Sequence, residues 1–433
     1  MKKCAFIITW VAFTLGCNQH KEPLPAGAEL QHRCEQILTD VIVHDIYSPP
    51  VASRIYAYAN LAYYEALAPS FKGNSLLLQL KGFDNLTPPS DGTKINFRLS
   101  AVTAFMKVAE ALVFSKDSIR IQQKNLTASF ELENNEAGTS SLAWGEAVAK
   151  NILKRAGADG YKKTRGMPRY SVFEEEGRWQ QTPPDYNDAT EPNWKLIQPL
   201  LMDSAAQFKP IPPPPFSMEE GSTYRSELDA LYNTCKSLSE EQKTIARYWD
   251  DNPFVSAHVG HLTYATKKTT PVGHWMGITA ILCKTAKKDE VATAKAYAMS
   301  AAAIFDGFIS CWDEKFRSRT SRPVTVIRKH IESEWNPLLQ TPSFPEYTSG
   351  HSVISGAASA VLIHQFGKGF AFHDTTEMKY LGMERSFPSI EAATDEIGIS
   401  RFYGGIHFMS AITQGKKQGE NIGNLFNQLN IPL

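Results

Sequence analysis

The stretch FPEYTSGHSVISGAASAVLIHQF, residues 344–366, joins two signals that rarely sit together. From Val353 onward it is apolar and rich in Ala, the composition of a helix buried in a core. Just before that run stand Thr348, Ser349, Gly350 and His351, where the backbone N–H groups of a helix start point outward without intrahelical partners. A helix start of this kind favours an anion. The stretch reads as a core helix whose first turn faces a negatively charged ligand, with no acidic side chain to balance it. The rest of the chain shares the helical period. SRIYAYANLAYYEALAP (53–69) repeats apolar residues at three and four, and Pro69 closes it. INFRLSAVTAFMKVAEALVF (95–114) and SSLAWGEAVAKNILKRAG (140–157) do the same, and Gly157 reads as the cap of the second. Further helices are expected over 239–250, 269–285, 289–312, 349–366, 388–399 and 408–429. No run alternates as strands do and no internal repeat stands out, so the fold class is all-α, packed as helical bundles.

The 433 residues suffice for one large domain or two ordinary ones. Hydrophobic residues make up 42% and aromatics 11%, which excludes a disordered chain. Lys plus Arg equals Asp plus Glu at 45 each. That balance argues against a nucleic-acid partner, which calls for a basic excess. Anion chemistry here must come from local clustering of cations.

The start, MKKCAFIITWVAFTLGCNQHKEPLP, has two lysines, an apolar run and Gly16-Cys17, the layout of a secretion signal over 1–16. Cys17 has the position of a bacterial lipoprotein acceptor, although Thr14 stands where Leu is usual. A plain cleaved signal is the alternative. Either places the protein outside the cytoplasm, in the periplasm or at the outer-membrane surface. No later stretch reaches the ~18 apolar residues that span a bilayer, so any membrane contact is through the lipid anchor. Of six cysteines, Cys34, Cys235, Cys283 and Cys311 remain beyond the signal and Cys17, with no zinc-ligand spacing and no readable disulfide pairing. Residues 158–198 form a long aromatic loop of the kind that packs, over a pocket if functional. FKPIPPPPF (208–216) is a stiff connector. It reads as the seam between an N-terminal helical half, 23–215, and a C-terminal half, 216–433. A surface crossover within one domain is the alternative.

Three stretches of the C-terminal half collect oxyanion-binding residues. In CWDEKFRSRTSRPVTVIRKH (311–330), Lys315 and Arg322 lie seven apart, which places both on one helix face. Ser349, Gly350 and His351 open the helix quoted above. SRFYGGIHFM (400–409) carries Arg401 and His407 around a Gly-Gly that permits close backbone approach. Singly each is weak, since a basic face or a His near glycine is usually structural. Together they supply several cations for a tetrahedral oxyanion, with one His to attack or coordinate its centre and another to move a proton.

Lys315–Pro323 fits Lys-x6-Arg-Pro, 348–351 fits Pro-Ser-Gly-His with Thr for Pro, and 400–407 fits Ser-Arg-x5-His. In this order they resemble the three signatures of the superfamily of vanadium-dependent haloperoxidases and type 2 phosphatidic acid phosphatases. LSEEQKTIARYWDD (238–251), PVGHW (271–275), WNPLLQTPSFPEYTSGH (335–351) and the long N-terminal half are similar to the haloperoxidase branch. The resemblance implies vanadate as cofactor, held by Lys315, Arg322, Arg401, Ser349 and the Gly350 amide. His351 would be the acid–base group and His407 the vanadium ligand. It implies hydrogen peroxide and halide as small-molecule partners. The alternative is a cofactor-free phosphatase on phosphomonoesters through phospho-His407, since five-coordinate vanadate resembles the transition state of phosphoryl transfer. A second alternative is a non-catalytic oxyanion-binding lipoprotein.

Trp312 and Phe344 match positions where fungal vanadium chloroperoxidases carry an aromatic wall beside vanadate, which tilts the choice to the peroxidase. Plain core packing is the competing explanation. Asp251 is the expected carboxylate that orients Arg401, with Asp250 competing. Four residues after its last His the family often carries an Asp that fixes the ring; Ala411 stands there. Unless another acceptor substitutes, His407 is expected to be less well oriented and less basic. His258, His261 and His274 are expected to line the pocket or sit in a loop without an acidic partner.

Overall fold

The computed structural model describes residues 27–128, 130, 136–259, 261–265 and 267–431. The secretion signal over 1–16 and the acceptor Cys17 lie outside the described residues. The N-terminal half contains α1 (Glu29–Asp45), α2 (Pro49–Leu67), α3 (Phe97–Leu112), α4 (Lys116–Ala128), α5 (Glu136–Ala158) and the single turn α6 (Tyr161–Arg165). After the proline-rich connector come α7 (Thr223–Lys236), α8 (Glu240–Tyr248), α9 (Pro271–Thr285), α10 (Glu290–Ser318), α11 (Pro323–His330), α12 (Gly350–Phe366), α13 (Ile390–Tyr403) and α14 (Met409–Phe426). Among the described residues strands form two antiparallel hairpins only: β1 (Ser256–Val259) with β2 (Leu262–Ala265), and β3 (Phe372–Asp374) with β4 (Arg385–Phe387). The protein is all-α. No described helix is long and apolar enough to cross a membrane, and Cys34, Cys235, Cys283 and Cys311 are free.

All nine expected helices form, with shifted ends. Gly157 is not a cap, because α5 runs through it to Ala158. The helices not expected are α1, α4, α7, α11 and the single turn α6; α4, α7 and α11 are rich in polar residues, and α6 and α11 are short. One hydrophobic core runs from Leu30 of α1 through Tyr58 of α2 and Phe305 of α10 to Ile431. It is continuous across both halves of the chain. Asp306 of α10 fastens them: its carboxylate accepts from the backbone amides of Leu200, Leu201 and Met202 at 2.7, 2.9 and 3.0 Å.

The small residues of the opening stretch have a packing reason. α12 crosses α14 at backbone contact distance. A Cβ on Gly419 would stand 1.9 Å from the Val353 carbonyl oxygen, and one on Gly356 would stand 2.4 Å from that of Lys416. Gly415, Gly419 and Gly423 recur every four residues and leave a groove that takes Ser349, Ser352, Val353, Ala357 and Ala360 in turn. This seam, with α10 and α13 packed on other sides, buries most of α12 and fixes where its N-terminus points. A methyl group at Gly419 is overpacking against backbone, worth at least about 1–3 kcal/mol.

Candidate active site

Four chain segments converge at the start of α12. Trp312 and Lys315 lie on the last turns of α10. Arg319 then adopts a left-handed conformation (φ 55°) and ends that helix. Arg322 is therefore not on the same helix face as Lys315, as the spacing suggested; it is the N-cap of α11, with Pro323 at the first helical position. The reversal brings the two side chains together from different elements. Ser349 caps α12, its hydroxyl accepting from the Ser352 amide at 3.3 Å. Arg401 comes from the last turn of α13. Gly404 and Gly405 then turn the chain tightly against Leu339 and Pro337, Gly405 with φ +76°, and deliver His407 ahead of α14.

Lys315, Arg322 and Arg401 are each 0% exposed. Charges are almost never buried so completely unless they are paired. The Lys315 ammonium donates to the carbonyls of Pro345, Glu346 and Thr348 at 2.8, 3.0 and 2.5 Å. Its three donors are thus engaged, and it contributes charge to the site rather than a free N–H. Arg322 donates through Nε to the Phe344 carbonyl and through Nη1 to the Ile406 carbonyl, both at 2.8 Å. Arg401 donates through Nη1 to the Trp249 carbonyl at 2.6 Å. Among the described residues Arg322 Nη2, Arg401 Nε and Nη2, and His351 Nε2 have no hydrogen-bond partner although they are buried. Buried donors left without acceptors are rare and costly.

His407 is oriented after all. Glu346 Oε1 lies 2.9 Å from its Nδ1 and also accepts from the Phe408 amide at 3.0 Å. With Nδ1–H donating to Glu346, Nε2 keeps its lone pair and faces Arg322 Nη1 at 3.2 Å. Burial and the nearby Arg322 and Lys315 hold His407 well below the ordinary histidine range, so it is neutral. Glu346 thus does what the Asp missing at Ala411 was expected to do, from the other side of the ring. It is also the acidic counterpart that the reading of the opening stretch overlooked. The signal was present as the lone carboxylate five residues before His351, but its direction depended on the turn preceding α12. The case for a non-catalytic binding protein rested on a disoriented His407 and loses that support.

His351 is likewise held well below the ordinary range by burial, by Arg401 and by His274. Its Nε2 lies 3.9 Å from Asp251 Oδ2. Asp251 does not hydrogen-bond Arg401, contrary to expectation; it stands between His351 and His274, with its Oδ1 3.1 Å from His274 Nδ1. Asp250 pairs with Lys268 at 2.7 Å. His274 is not a loop residue and does not lack acidic partners: it sits on α9 among Asp251, Asp374 and Glu377. His261 is exposed, and the side chain of His258 lies outside the described set.

Trp312 and Phe344 do form an aromatic wall, with centroids 5.0 Å apart. The Lys315 ammonium stands 4.9 Å, and the Arg322 guanidinium 5.0 Å, from the centre of the Phe344 ring. The wall, Phe308, His351, Arg401 and His407 line a small cavity of about 30 Å³. A neighbouring cavity of about 40 Å³ opens past His351 and Asp251 between 340–344 and residues 182–185 of the long aromatic loop, which does pack over the site.

Unfilled guanidinium donors around a neutral imidazole, whose Nε2 lone pair meets only the Arg322 Nη1 donor, suit a tetrahedral oxyanion with a metal at its centre. The comparisons with known proteins agree. The family model described as VCPO second helical-bundle domain matches residues 295–430. A solved bacterial vanadium-dependent iodoperoxidase superposes with a TM-score of 0.89 at 45% identity, covering 95% of this chain and 99% of that one. The chain belongs to the vanadium-dependent haloperoxidases. Holo and apo structures of a bacterial vanadium-dependent chloroperoxidase share the haloperoxidase fold at TM-scores of 0.69 and 0.67, with 19% and 16% identity, covering 89% and 88% of this chain and 93% and 94% of those. No curated protein matches. The protein is therefore a haloperoxidase-like enzyme, and vanadate is the cofactor of its family.

Proposed function

We propose that this protein oxidises iodide with hydrogen peroxide, using vanadate held between His407 and the cationic pocket. The observation that carries the reading is the set of unpartnered donors, Arg322 Nη2 with Arg401 Nε and Nη2, around the lone pair of His407 Nε2. These residues fit the group. His407 Nε2 would ligate the metal, while the two guanidinium groups, the Ser349 hydroxyl and the Gly350 amide would take its oxygens, and Lys315 would add charge. When bound, vanadate supplies a Lewis-acidic centre that polarises peroxide for attack by halide. The remaining steps belong to side chains. Glu346 keeps His407 in the tautomer that leaves Nε2 free. His351, neutral and unpartnered at Nε2, takes a proton from the entering peroxide and returns it to the departing oxygen. Trp312 and Phe344 exclude water on the side where a large, weakly hydrated anion would approach.

The 45% identity to an iodoperoxidase supports iodide over the smaller halides. The test is peroxide-dependent oxidation of iodide, bromide and chloride by protein stripped of vanadium, with and without added orthovanadate. Iodide turnover that needs vanadate and is suppressed by phosphate is expected. Phosphomonoester hydrolysis without vanadium, and no halide turnover, would replace the reading with a phosphatase acting through His407. His407→Ala should abolish either activity. We further propose an extracytoplasmic enzyme tethered by a lipid on Cys17 and acting on small molecules alone; loss of fatty-acid labelling in Cys17→Ala would be the signature.

A further inference from the structure

Behind the oxyanion pocket lies a second group of buried titratable side chains that the reaction does not use directly. His274, on the first turn of α9, is 1% exposed. Its Nδ1 stands 3.1 Å from Asp251 Oδ1, and its Nε2 stands 2.9 Å from Asp374 Oδ2. Glu377 Oε1 is 3.5 Å from the same Nδ1. A neutral imidazole carries one N–H, so it can donate to only one of two flanking carboxylates; bridging both requires the doubly protonated ring. Burial alone would push this ring's pKa down, but Asp251 and Asp374 outweigh it and raise it well above the ordinary range. The ring also lies flat on Trp249, with centroids 4.5 Å apart and an interplanar angle of 26°. Such stacking favours a cation.

Trp249 and Asp251 are the two residues through which this segment reaches the pocket. The Trp249 carbonyl accepts from Arg401 Nη1, and Asp251 Oδ2 faces His351 Nε2. Asp374 is fixed in turn by the Thr376 amide at 3.0 Å, and its carbonyl accepts from the Tyr248 hydroxyl at 3.3 Å. We propose that His274 is a permanently charged positioning residue, whose imidazolium clamps Trp249 and Asp251 and through them sets Arg401 and His351 for the oxyanion reaction. The inference rests on the haloperoxidase reading. Asp251, His274 and Glu377 also present ligand atoms close enough to suggest a metal ion. Burial together with Asp251 and Asp374 pushes Glu377 up to about 8, against the pull of His274. A metal here would have to displace the proton that lets His274 bridge two carboxylates, and we read the cluster as a proton-based clamp.

The test is a double-mutant cycle on the full chain, with orthovanadate and iodide as probes. Wild type, His274→Gln, Asp251→Asn and the double variant are compared for kcat at saturating vanadate, KM for iodide and metal content. His274→Gln is expected to lower kcat about 10- to 100-fold with KM for iodide unchanged, as for removal of a residue that orients a ligand. The double variant is expected to fall no further than the poorer single one, because both changes break the same contact. Wild-type kcat in His274→Gln would overturn the proposal, as would fully additive losses. So would a stoichiometric divalent metal in the wild type that is lost with His274. If His274→Gln does not fold, Asp374→Asn keeps the ring but removes the acceptor that demands the second proton; it should lower kcat in the same direction, and wild-type kcat there overturns the clamp. No vanadate-dependent turnover in the wild type would remove the haloperoxidase reading itself, and this inference with it.

Discussion

The protein buries two pairs of arginines, and the pairs are treated differently. In the N-terminal half, Arg54 donates from Nε to Asp159 at 2.7 Å and from Nη2 to the Ala156 carbonyl at 2.6 Å. Beside it Arg155 reaches the Lys81, Gln198 and Pro199 carbonyls and the Tyr58 hydroxyl, which itself donates to Asp159 at 2.9 Å. In the C-terminal half Arg322 and Arg401 are buried as deeply, yet keep donors without acceptors, and the nearest carboxylates are engaged elsewhere. A buried cation with a full set of partners holds elements together; one left short of acceptors is shaped for an anion that arrives later. On the function proposed above, the first pair is scaffold and the second is site.

That contrast is most directly broken by exchanging the consequences. Arg54→Ala should cost about 3–5 kcal/mol of stability, because it leaves Asp159 buried without its cation. Arg401→Ala should cost little stability in the vanadate-free protein and about 100-fold in vanadate affinity, the worth of charge-assisted hydrogen bonds. Denaturant melts of both variants check the first half and vanadate titrations the second. Equal destabilisation would erase the distinction. Glu346→Gln sharpens it further: the carboxylate that faces His407 should matter to turnover by about 10- to 100-fold, with halide oxidation as the readout, while unfolding is little changed.

The pH dependence is a smaller effect with a definite sign. Burial, with Arg322 alongside, holds Lys315 down to about 7. A bound anion favours the ammonium, so its pKa is higher with vanadate than without, and binding takes up a proton. Affinity is then full below pH 7 and falls by up to about tenfold per pH unit above it, until the pKa of the bound form is reached. Vanadate titrations at several pH values would show it, and the slope should vanish in Lys315→Met. The smallest change expected is in Trp312→Phe, which keeps an aromatic face beside Phe344 but loses the indole hydrogen bond to the Thr190 carbonyl at 3.1 Å. It should alter halide preference by a few-fold at most, checked by comparing iodide with bromide.

Much of the fold was legible because the core helices are long, strongly apolar runs, and α12 and α14 carry small residues where they cross. The site cations were legible because motif order and residue type suffice for them. What stayed hidden depends on tertiary direction. Arg322 reaches Lys315 only because Arg319 turns the chain, and Glu346 reaches His407 only across the turn before α12. His274 gains its carboxylates from a hairpin and a turn a hundred residues downstream, Asp374 and Glu377, a separation that no local pattern encodes. The helices α4 and α7 were missed because they hold few apolar residues, although those they have share one face.

Calorimetric titration of orthovanadate into vanadium-free protein tests the central claim most directly, with Arg322→Ala and Arg54→Ala run beside the wild type. The account predicts one vanadate per chain, displaced by phosphate, lost or strongly weakened in Arg322→Ala and unchanged in whatever fraction of Arg54→Ala remains folded. Binding that is absent in the wild type, or indifferent to Arg322, would contradict it.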